Sequence, residues 1–502
     1  MTEEPTPSTA WRLLHSSLFL CFFMAGCSLR AETQQTEGTS ATEVSQYSEN
    51  KPNIILVMAD DLGWGDVAYN GHPVIKTPHL DAMAANGLKF NRFYAGAPVC
   101  SPTRGSVLTG RHPQRYGIPS ANQGHMKDNE VTLPEVLKSQ GYTTGHFGKW
   151  HLGTMTPEYS GKRNRKPEKH YSTPGMNGID EWFATEYAVS TWDPYKPENA
   201  HDSVVDPRVL YWENGENIID GFAQGLVGCD SRIIMDKALP FIEKQAKSET
   251  PFFALIWFHA PHSPVVAGPE YLAMYSDEEE GKQHYYGVVT ALDDQLGRLR
   301  SALREWGVAD NTMVWFCSDN GPEGNPEARR RNQGSAADFR GRKRSLYEGG
   351  VRVPGILEWP VKVSGKETNF PAVTSDYFPT ILAVLSFHIH EMNTRPYDGV
   401  SLLPVIEDGL KVRPRPILFD GHGLATLNDN RYKLVHNPTQ ERHRSDNGTA
   451  SVAEWELYDL MADPSETINL AERQPELLKR MRSQLRAWQI SCQASVKELD
   501  YE

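Results

Sequence analysis

The chain has few cysteines, no excess of basic residues and, after residue 27, no apolar run long enough to cross a membrane. Its six cysteines, at positions 21, 27, 100, 229, 317 and 492, show no spacing typical of a disulfide scaffold or a zinc site. The net charge of -13 argues against a nucleic-acid-binding protein, because such proteins carry a basic surface. With 502 residues, 39% hydrophobic and 23% charged, the chain has the composition of an ordinary globular protein.

The N-terminal segment has the features of an export signal. Arg12 precedes the apolar run Leu18–Met24, which small residues separate from Cys27. The run is too short to span a bilayer, so residues 1–27 are predicted to be a signal peptide. The residues before Cys27 are similar to a bacterial lipoprotein box, and the one membrane contact considered is a lipid anchor at Cys27. We expect an exported protein, periplasmic or at the cell surface, with the polar residues 28–50 as a flexible tether.

Four cysteines lie outside this segment. Cys317 falls within an apolar strand and is interpreted as a core residue, whereas pairing between Cys229 and Cys492 stays open. Cys100 shortly precedes Pro102, which predicts the start of a helix with proline at its first position. The free amides and the dipole at a helix N-terminus favour an anion. Taken alone, the segment fits a buried structural cysteine equally well.

Four segments of strand length, three of them apolar runs and one a short strand candidate at Thr143–Phe147, are each followed by polar residues. They are Asn53–Ala59 before Asp60 and Asp61, Thr143–Phe147 before Lys149 and His151, Phe252–Phe258 before His259 and His262, and Thr312–Cys317 before Asp319 and Asn320. Ligands of open α/β sheets bind at the carboxyl ends of the strands, so these four ends predict one shared site. Helical segments between the strands supply the alternation of an α/β fold, at His79–Asn86, Leu133–Gln140, Ser231–Lys247 and Tyr285–Trp306.

The pattern changes after about residue 390. Short strand segments at Ile417–Asp420, Tyr432–Val435 and Trp455–Asp459 precede a helical segment, Pro475–Gln489. We predict a main domain over residues 51–390, with a mostly parallel sheet between layers of helices. Residues 391–502 are predicted to form a smaller α+β subdomain.

Two of the strand ends carry oxygen ligands only: Asp60, Asp61, Asp319 and Asn320. Such a set suits a hard cation such as calcium better than zinc. An adjacent acidic pair alone is also typical of a helix cap or a solvated turn. The second pair is what favours a metal site.

These motifs together resemble the sulfatase family. The segment Val99-Cys100-Ser101-Pro102-Thr103-Arg104 is similar to the family signature, and residues 148–153 (GKWHLG) and 347–350 (YEGG) match further motifs between residue 51 and about 470. The resemblance implies an alkaline phosphatase-like fold and hydrolysis of a sulfate ester. It also implies formylglycine, made from Cys100 by the host's modifying machinery, and one calcium ion. The metal ligands implied are Asp60, Asp61, residue 100, Asp319 and Asn320.

The resemblance also implies roles for residues that handle the sulfate. Arg104 should hold the formylglycine hydroxyl, and Lys149 and His151 should contact formylglycine and sulfate. His262 and Lys343 should bind sulfate and face the leaving oxygen, and either one is a candidate for the general acid. The remaining polar neighbours have other interpretations: His259 as hydrogen-bonded packing, and Arg342 and Arg344 as competitors of Lys343, which the turn expected at YEGG favours.

The substrate class is less well defined. Two basic runs, residues 162–166 and 329–331 continuing to Arg344, are hypothesised to engage a sulfated polysaccharide, although solvated loops are the simpler reading. Trp182, Trp192 and Trp212 either stack on sugar rings or pack in the core. The alternative functions are a phosphate or phosphonate ester hydrolase of the same superfamily and a non-catalytic protein that binds calcium or glycan.

Overall fold

A computed structural model describes residues 51–161, 164–196, 210–324, 333–387, 395–442 and 452–501. The predicted signal peptide, the tether, Cys27, and residues 162–163 and 329–331 of the basic runs lie outside the described residues. Export, the lipid anchor and the domain boundary at residue 390 therefore stay predictions.

The strands described are β1 (Asn53–Ala59), β2 (Leu88–Phe90), β3 (Phe93–Tyr94), β4 (Thr143–Lys149), β5 (Glu181–Thr185), β6 (Tyr211–Glu213), β7 (Glu216–Asn217), β8 (Phe252–Trp257), β9 (Thr312–Ser318), β10 (Arg352–Val353), β11 (Gly355–Glu358), β12 (Lys366–Thr368), β13 (Ala372–Val373), β14 (Ile417–Gly421), β15 (Leu424–Asp429), β16 (Tyr432–His436) and β17 (Trp455–Asp459). All four strands predicted to end in site residues are present. β4 extends two residues further than predicted, so Lys149 is its last residue.

The α-helices described are α1 (Pro78–Asn86), α2 (Cys100–Thr109), α3 (Pro113–Tyr116), α4 (Leu133–Ser139), α5 (Pro167–His170), α6 (Asp230–Lys247), α7 (Pro269–Ala273), α8 (Glu280–Glu305), α9 (Glu348–Val351), α10 (Tyr377–Val384), α11 (Leu403–Asp408) and α12 (Pro475–Val496). The predicted helices are confirmed, but α8 begins earlier and α12 ends later than the sequence indicated. The additional turn of α8, residues 280–284, is largely polar, so its apolar periodicity was too weak to detect. Residues 490–496 of α12 alternate apolar and polar side chains, a spacing that does not indicate a helix.

Among the described residues, ten strands form the main sheet in the order β12-β2-β11-β9-β1-β8-β4-β5-β6-β7. Its centre is parallel: β1 pairs with both β8 and β9, and β4 pairs with both β8 and β5. β11 joins β9 antiparallel on one side, and β6 joins β5 antiparallel on the other. The predicted mixed, mostly parallel sheet is confirmed.

Both faces of the central strands are buried, which explains their continuous apolar sequence. Successive residues of β1 point to opposite faces: Leu56 belongs to one hydrophobic core and Val57 to the other. Helices α4 and α10 contribute to the first core and α6 and α8 to the second. The sheet therefore lies between two layers of helices.

Strands β14-β15-β16-β17 form a separate antiparallel sheet near the C-terminus. One of its faces packs on α12 through Leu427, Leu457 and Met481. Its other face contacts residues of the larger part, among them Tyr94 and Leu346. The predicted small α+β subdomain is confirmed, although β15 was not predicted.

The cysteines of the described residues are free thiols. Cys317 is buried in β9, as predicted. Cys229 and Cys492 do not pair, and burial raises the pKa of each thiol to about 12. Within the described ranges, every helix is too short or too polar to cross a membrane.

His146 lies in the middle of β4, fully buried between the rings of Trp150 and Trp257. Burial, with the charge of Arg104, lowers its pKa to about 3. The unfolded chain takes up a proton below about pH 6.5, but the folded protein does not. Stability from the neutral imidazole is therefore complete above the unfolded pKa and is lost as pH falls from 6.5 towards 3.

We expect His146→Phe to flatten the pH dependence of stability. Phenylalanine keeps the aromatic packing but takes up no proton. Between pH 6 and 4, the free energy of unfolding should fall less steeply with decreasing pH in the variant than in the wild type. The two slopes should differ by about 1.4 kcal/mol per pH unit, the contribution of one proton. Urea denaturation at several pH values measures both slopes, and parallel profiles would contradict the prediction.

Candidate active site

The carboxyl ends of four neighbouring strands meet at one edge of the main sheet. β9, β1, β8 and β4 lie side by side and run in the same direction. Asp60 and Asp61 follow β1, and Asp319 and Asn320 follow β9. Because Ala59 of β1 pairs with the last residue of β9, the two acidic pairs start at the same level. The shared site expected from the sequence is thus assembled.

Cys100 occupies the N-terminus of α2 beside these carboxylates. The helix begins at Cys100, two residues before the expected position, so Pro102 is the third helical residue. Proline is tolerated there because the first four amides of a helix have no intrahelical partner. Ligand atoms of Asp60, Cys100 and Asp319 all lie within 4.8 Å of one another. Burial raises the pKa of the Cys100 thiol, so the thiol is protonated at neutral pH.

Three buried ion pairs surround Cys100. Each joins one of the acidic residues to a cation from another element, with the nearest N–O distances 2.5 Å for Lys149–Asp60, 2.7 Å for Arg104–Asp319 and 2.6 Å for Lys343–Asp61. Arg104 also donates to the backbone carbonyl of Lys149 at 3.0 Å. All six side chains are at most 4% exposed, so these charges interact with little screening by water.

The charges perturb one another strongly. Burial would raise the pKa of Asp60, but Lys149 and the neighbouring cations outweigh it and hold the pKa well below its usual range. Burial and the nearby Asp60 charge raise the pKa of Asp319. Burial opposes the charge on Lys343, yet the carboxylate of Asp61 raises its pKa. Strongly shifted carboxylates and cations in one buried cluster are typical of a functional site.

The acidic residues fit a hard cation. Asp60 Oδ1 and Asn320 Oδ1 are buried and have no hydrogen-bond partner among the described residues. A buried oxygen without a partner is costly, and a cation would remove that cost. The other oxygens are held in place: Asn320 Nδ2 donates to Asp61 at 2.7 Å, and the Asp61 amide donates to Asp319 at 3.1 Å. Carboxylate and amide oxygens are the ligands that calcium prefers.

His151 lies beyond the end of β4 in a left-handed conformation, with φ of 60°. Its Nε2 contacts Asn122 Oδ1 at 2.8 Å, and its buried Nδ1 has no partner among the described residues. Burial and the Lys149 charge lower its pKa well below the usual value, so the ring is neutral. Arg165, itself buried, donates at 2.8 Å to the carbonyls of His151 and Gly153 and so holds this turn.

The two histidines that follow β8 have different environments. His259 is fully buried, with Nδ1 2.8 Å from Asp230 and Nε2 2.7 Å from Thr185. It fits the hydrogen-bonded packing interpretation. His262 is 22% exposed and its Nε2 is 3.7 Å from Asp61 Oδ2. Burial, opposed by the nearby carboxylates, lowers its pKa to about 4.

The structure separates Lys343 from its arginine neighbours. Of these three residues, only Lys343 forms an ion pair with Asp61. Arg342 donates to the backbone carbonyls of Glu323 and Gly334. Arg344 instead pairs with Glu323, with N–O distances of 2.6 and 2.8 Å. Lys343 is therefore the cation of this segment that enters the cluster.

The two glycines of residues 347–350 allow another backbone segment to pack closely against them, and they do not form the expected tight turn. Neither has a positive φ, and both lie in α9. A Cβ at Gly350 would lie 2.0 Å from the carbonyl oxygen of Ser345, and one at Gly349 would lie 2.2 Å from that of Gly341. The absence of side chains lets the Lys343 segment pack directly on α9.

The tryptophans of residues 182–212 fit the core-packing interpretation. Trp182 and Trp212 are core residues, 6% and 7% exposed, and the half-buried Trp192 packs on Gly268. In the first basic run Arg165 is buried and Lys166 is exposed. No sequence pattern indicated Asn122, Glu323 or the role of Arg165, because each lies in an irregular segment.

Comparison with known proteins points to one family. The profile of the family described as Sulfatase matches residues 52–387. N-acetylgalactosamine-6-sulfatase of Homo sapiens is 34% identical over 389 residues, which cover 73% of this chain and 68% of that protein. Arylsulfatase A of Homo sapiens is 31% identical over 464 residues, which cover 86% of each chain.

One solved structure is similar to this chain over most of its length. The crystal structure of Ps i-CgsB in complex with k-i-k-neocarrahexaose superposes with a TM-score of 0.73 and 27% sequence identity, covering 88% of this chain and 93% of the other. The alkaline phosphatase-like fold is thereby confirmed. Since the profile spans most of the chain and the relatives named above are sulfuric ester hydrolases, the protein is such a hydrolase and belongs to the sulfatase family.

Proposed function

We propose that the protein hydrolyses a sulfate ester of a carbohydrate, with formylglycine at residue 100 and one bound calcium ion. The observation that carries this proposal is the arrangement of buried carboxylates and cations around the N-terminus of α2. The carboxylates are Asp60, Asp61 and Asp319, and the cations are Arg104, Lys149 and Lys343. The three carboxylates and the three cations carry equal and opposite charge. A bound divalent cation would therefore leave an excess of positive charge, which favours an anionic ester.

A plain nucleophile would not complete the reaction. A serine that attacked a sulfate ester would become a sulfate ester itself, as inert as the substrate. Hydrated formylglycine would supply one hydroxyl that attacks sulfur as the ester S–O bond breaks and the alcohol leaves. Its second hydroxyl would then lose its proton and collapse to the aldehyde, breaking the C–O bond to sulfate and releasing it. The unmodified Cys100 thiol is poorly suited to attack, because burial keeps it protonated. Its place beside Arg104 and Lys149 provides positive charge where the negative charge develops.

The calcium ligands in this proposal are Asp60, Asp61, residue 100, Asp319 and Asn320. When bound, the ion supplies positive charge that stabilises oxygens of the nucleophile and of the sulfate. Support comes from the buried oxygens of Asp60 and Asn320 that have no other partner. Arg104 holds Asp319, and Lys149 holds Asp60, so both cations also fix the orientation of the ligands.

Lys343 and His262 are the two candidates for proton transfer to the leaving oxygen. The carboxylate of Asp61 raises the pKa of Lys343, whereas burial lowers that of His262 to about 4. At neutral pH Lys343 therefore carries the proton and His262 is neutral. We assign the general acid to Lys343 and a sulfate-orienting role to His262 and to the unpartnered Nδ1 of His151.

A sulfated carbohydrate is the substrate class that the relatives favour. One similar protein is named N-acetylgalactosamine-6-sulfatase, and a similar solved structure is in complex with k-i-k-neocarrahexaose. The predicted signal peptide favours action outside the cytoplasm, in the periplasm or at the cell surface. The host must then supply machinery that oxidises Cys100.

Turnover of matched esters tests the reaction class. Protein from a host that modifies Cys100 should release sulfate from 4-nitrophenyl sulfate with a kcat/KM at least about 100-fold above that for 4-nitrophenyl phosphate, because the site is built for a sulfate oxyanion. Both esters release the same phenol, so one absorbance assay measures both. A preference for phosphate would instead favour a phosphate or phosphonate hydrolase.

A further inference from the structure

The open side of the site is defined by a few side chains. Asp60, Arg104 and Lys149 are buried. By contrast, Glu323 is 26% and Arg344 31% exposed. Arg344 follows Lys343 directly in sequence, so two consecutive cations extend from the buried carboxylates to the rim. Glu323 Oε2 lies 2.6 Å from Arg344 Nη2 and 3.7 Å from Lys343 Nζ, so one carboxylate joins the guanidinium at the rim to the lysine that pairs with Asp61.

The backbone holds Arg344 at this rim. Its φ is 77°, a left-handed conformation that is unfavourable for a residue with a long side chain. Its amide donates at 2.8 Å to the carbonyl of Pro98, two residues before Cys100. This hydrogen bond explains how Arg344 keeps its left-handed conformation. It also links Arg344 directly to the segment that carries residue 100. A strained backbone that is retained beside a functional site indicates that the residue has a function there.

Glu323 orients the guanidinium. Nη1 donates to Oε1 at 2.8 Å, and Nη2 lies 2.6 Å from Oε2, so the two groups form a fork. Burial opposes the charge on Glu323, but Arg344 and Lys343 outweigh it and lower the pKa to about 2, so the carboxylate is charged. Within the described residues, the other N–H groups of Arg344 have no acceptor. An arginine has five such donors, and a fork with one carboxylate leaves several of them for a second oxyanion.

We propose that Arg344 binds a second oxyanion of the substrate, a sulfate ester or a carboxylate, next to the scissile sulfate. This inference rests on the proposed function, because it needs a sulfated carbohydrate in the site. It assigns the protein a preference for sugars that carry two anionic groups close together. Lys343 would serve the scissile group and Arg344 the second group, with Glu323 holding the guanidinium in place.

The test compares substrates with one and two anionic groups. The panel contains three kinds of disaccharide: those with one sulfate, those with two sulfates, and those with one sulfate and one uronate. In each kind the sulfate is placed at each ring position in turn. For the cleaved position, the wild type should show a KM about tenfold lower for the substrates with two anions. Arg344→Gln should bring the ratio of KM values close to one, and Arg344→Lys should give an intermediate ratio because lysine cannot form the fork. The uronate and disulfate arms show which oxyanion is bound.

Arg486→Gln is the matched control, since Arg486 is an exposed arginine of α12 outside the site. It should leave the ratio of KM values unchanged. An equal change of KM for every substrate in Arg344→Gln would overturn the proposal, as would a wild type without preference for the second anion. If the wild type releases sulfate from none of the esters while residue 100 is an aldehyde, the proposed function itself fails.

Discussion

Cys100→Ala is expected to abolish sulfate release while the protein keeps its fold. Loss of a nucleophile typically lowers kcat by about 10⁵-fold or more. The side chain is small and only 2% exposed, so its truncation should cost on the order of 1 kcal/mol of stability. Circular dichroism and thermal unfolding check the fold, and ion chromatography measures the sulfate released.

Cys317→Ala is the matched control for this variant. Cys317 is a buried thiol of β9, and its truncation should reduce stability slightly without removing the nucleophile. Mass spectrometry of the peptide that contains residue 100 completes the test, because active wild type should show an aldehyde or its hydrate. Active enzyme with only a thiol would refute the formylglycine mechanism. A Cys100→Ala variant with full biological activity would favour a non-catalytic calcium- or glycan-binding role.

Part of the site was predictable because its residues follow strands, three of which are near-continuous apolar runs. Asp60 follows β1 and Asp319 follows β9, and the rule that parallel strands present their carboxyl ends together places them at one edge. The same rule located Lys149 and His262. Each prediction needed only a strand and the residues after it, which are local features of the sequence.

Residues that reach the site from irregular segments could not be predicted in this way. Arg165 lies in a run that reads as a solvated loop, yet its guanidinium is buried on the carbonyl of His151. Asn122 and Glu323 likewise owe their positions to long-range contacts. The three-stranded sheet β10-β3-β13 was missed for a related reason: each of its strands has two residues, too few for any periodicity.

The balance of charges around Asp60 explains why the site can exist before a metal binds. Lys149 and Arg104 lie 2.5 and 3.6 Å from Asp60 Oδ2 and compensate its charge, but its Oδ1 stays buried without a partner. A cation that binds at Oδ1 therefore gains a prepared ligand, and the folded protein gains stability from the ion. The metal should consequently be detectable by unfolding alone, without any assay of activity.

Calcium should raise the Tm of chelator-treated protein, and Asp60→Asn should remove most of this effect. At a calcium concentration 100-fold above Kd, the ion adds about 2.7 kcal/mol to the free energy of unfolding. Asp294→Asn is the matched control, because Asp294 belongs to a second acidic cluster, with His79 and Asp293, and should leave the calcium effect intact. Differential scanning fluorimetry with calcium or zinc measures the shifts, and the oxygen ligands predict a larger shift with calcium. An equal calcium shift in Asp60→Asn and the wild type would place the ion elsewhere, and a shift with zinc alone would favour the chemistry of a phosphate hydrolase.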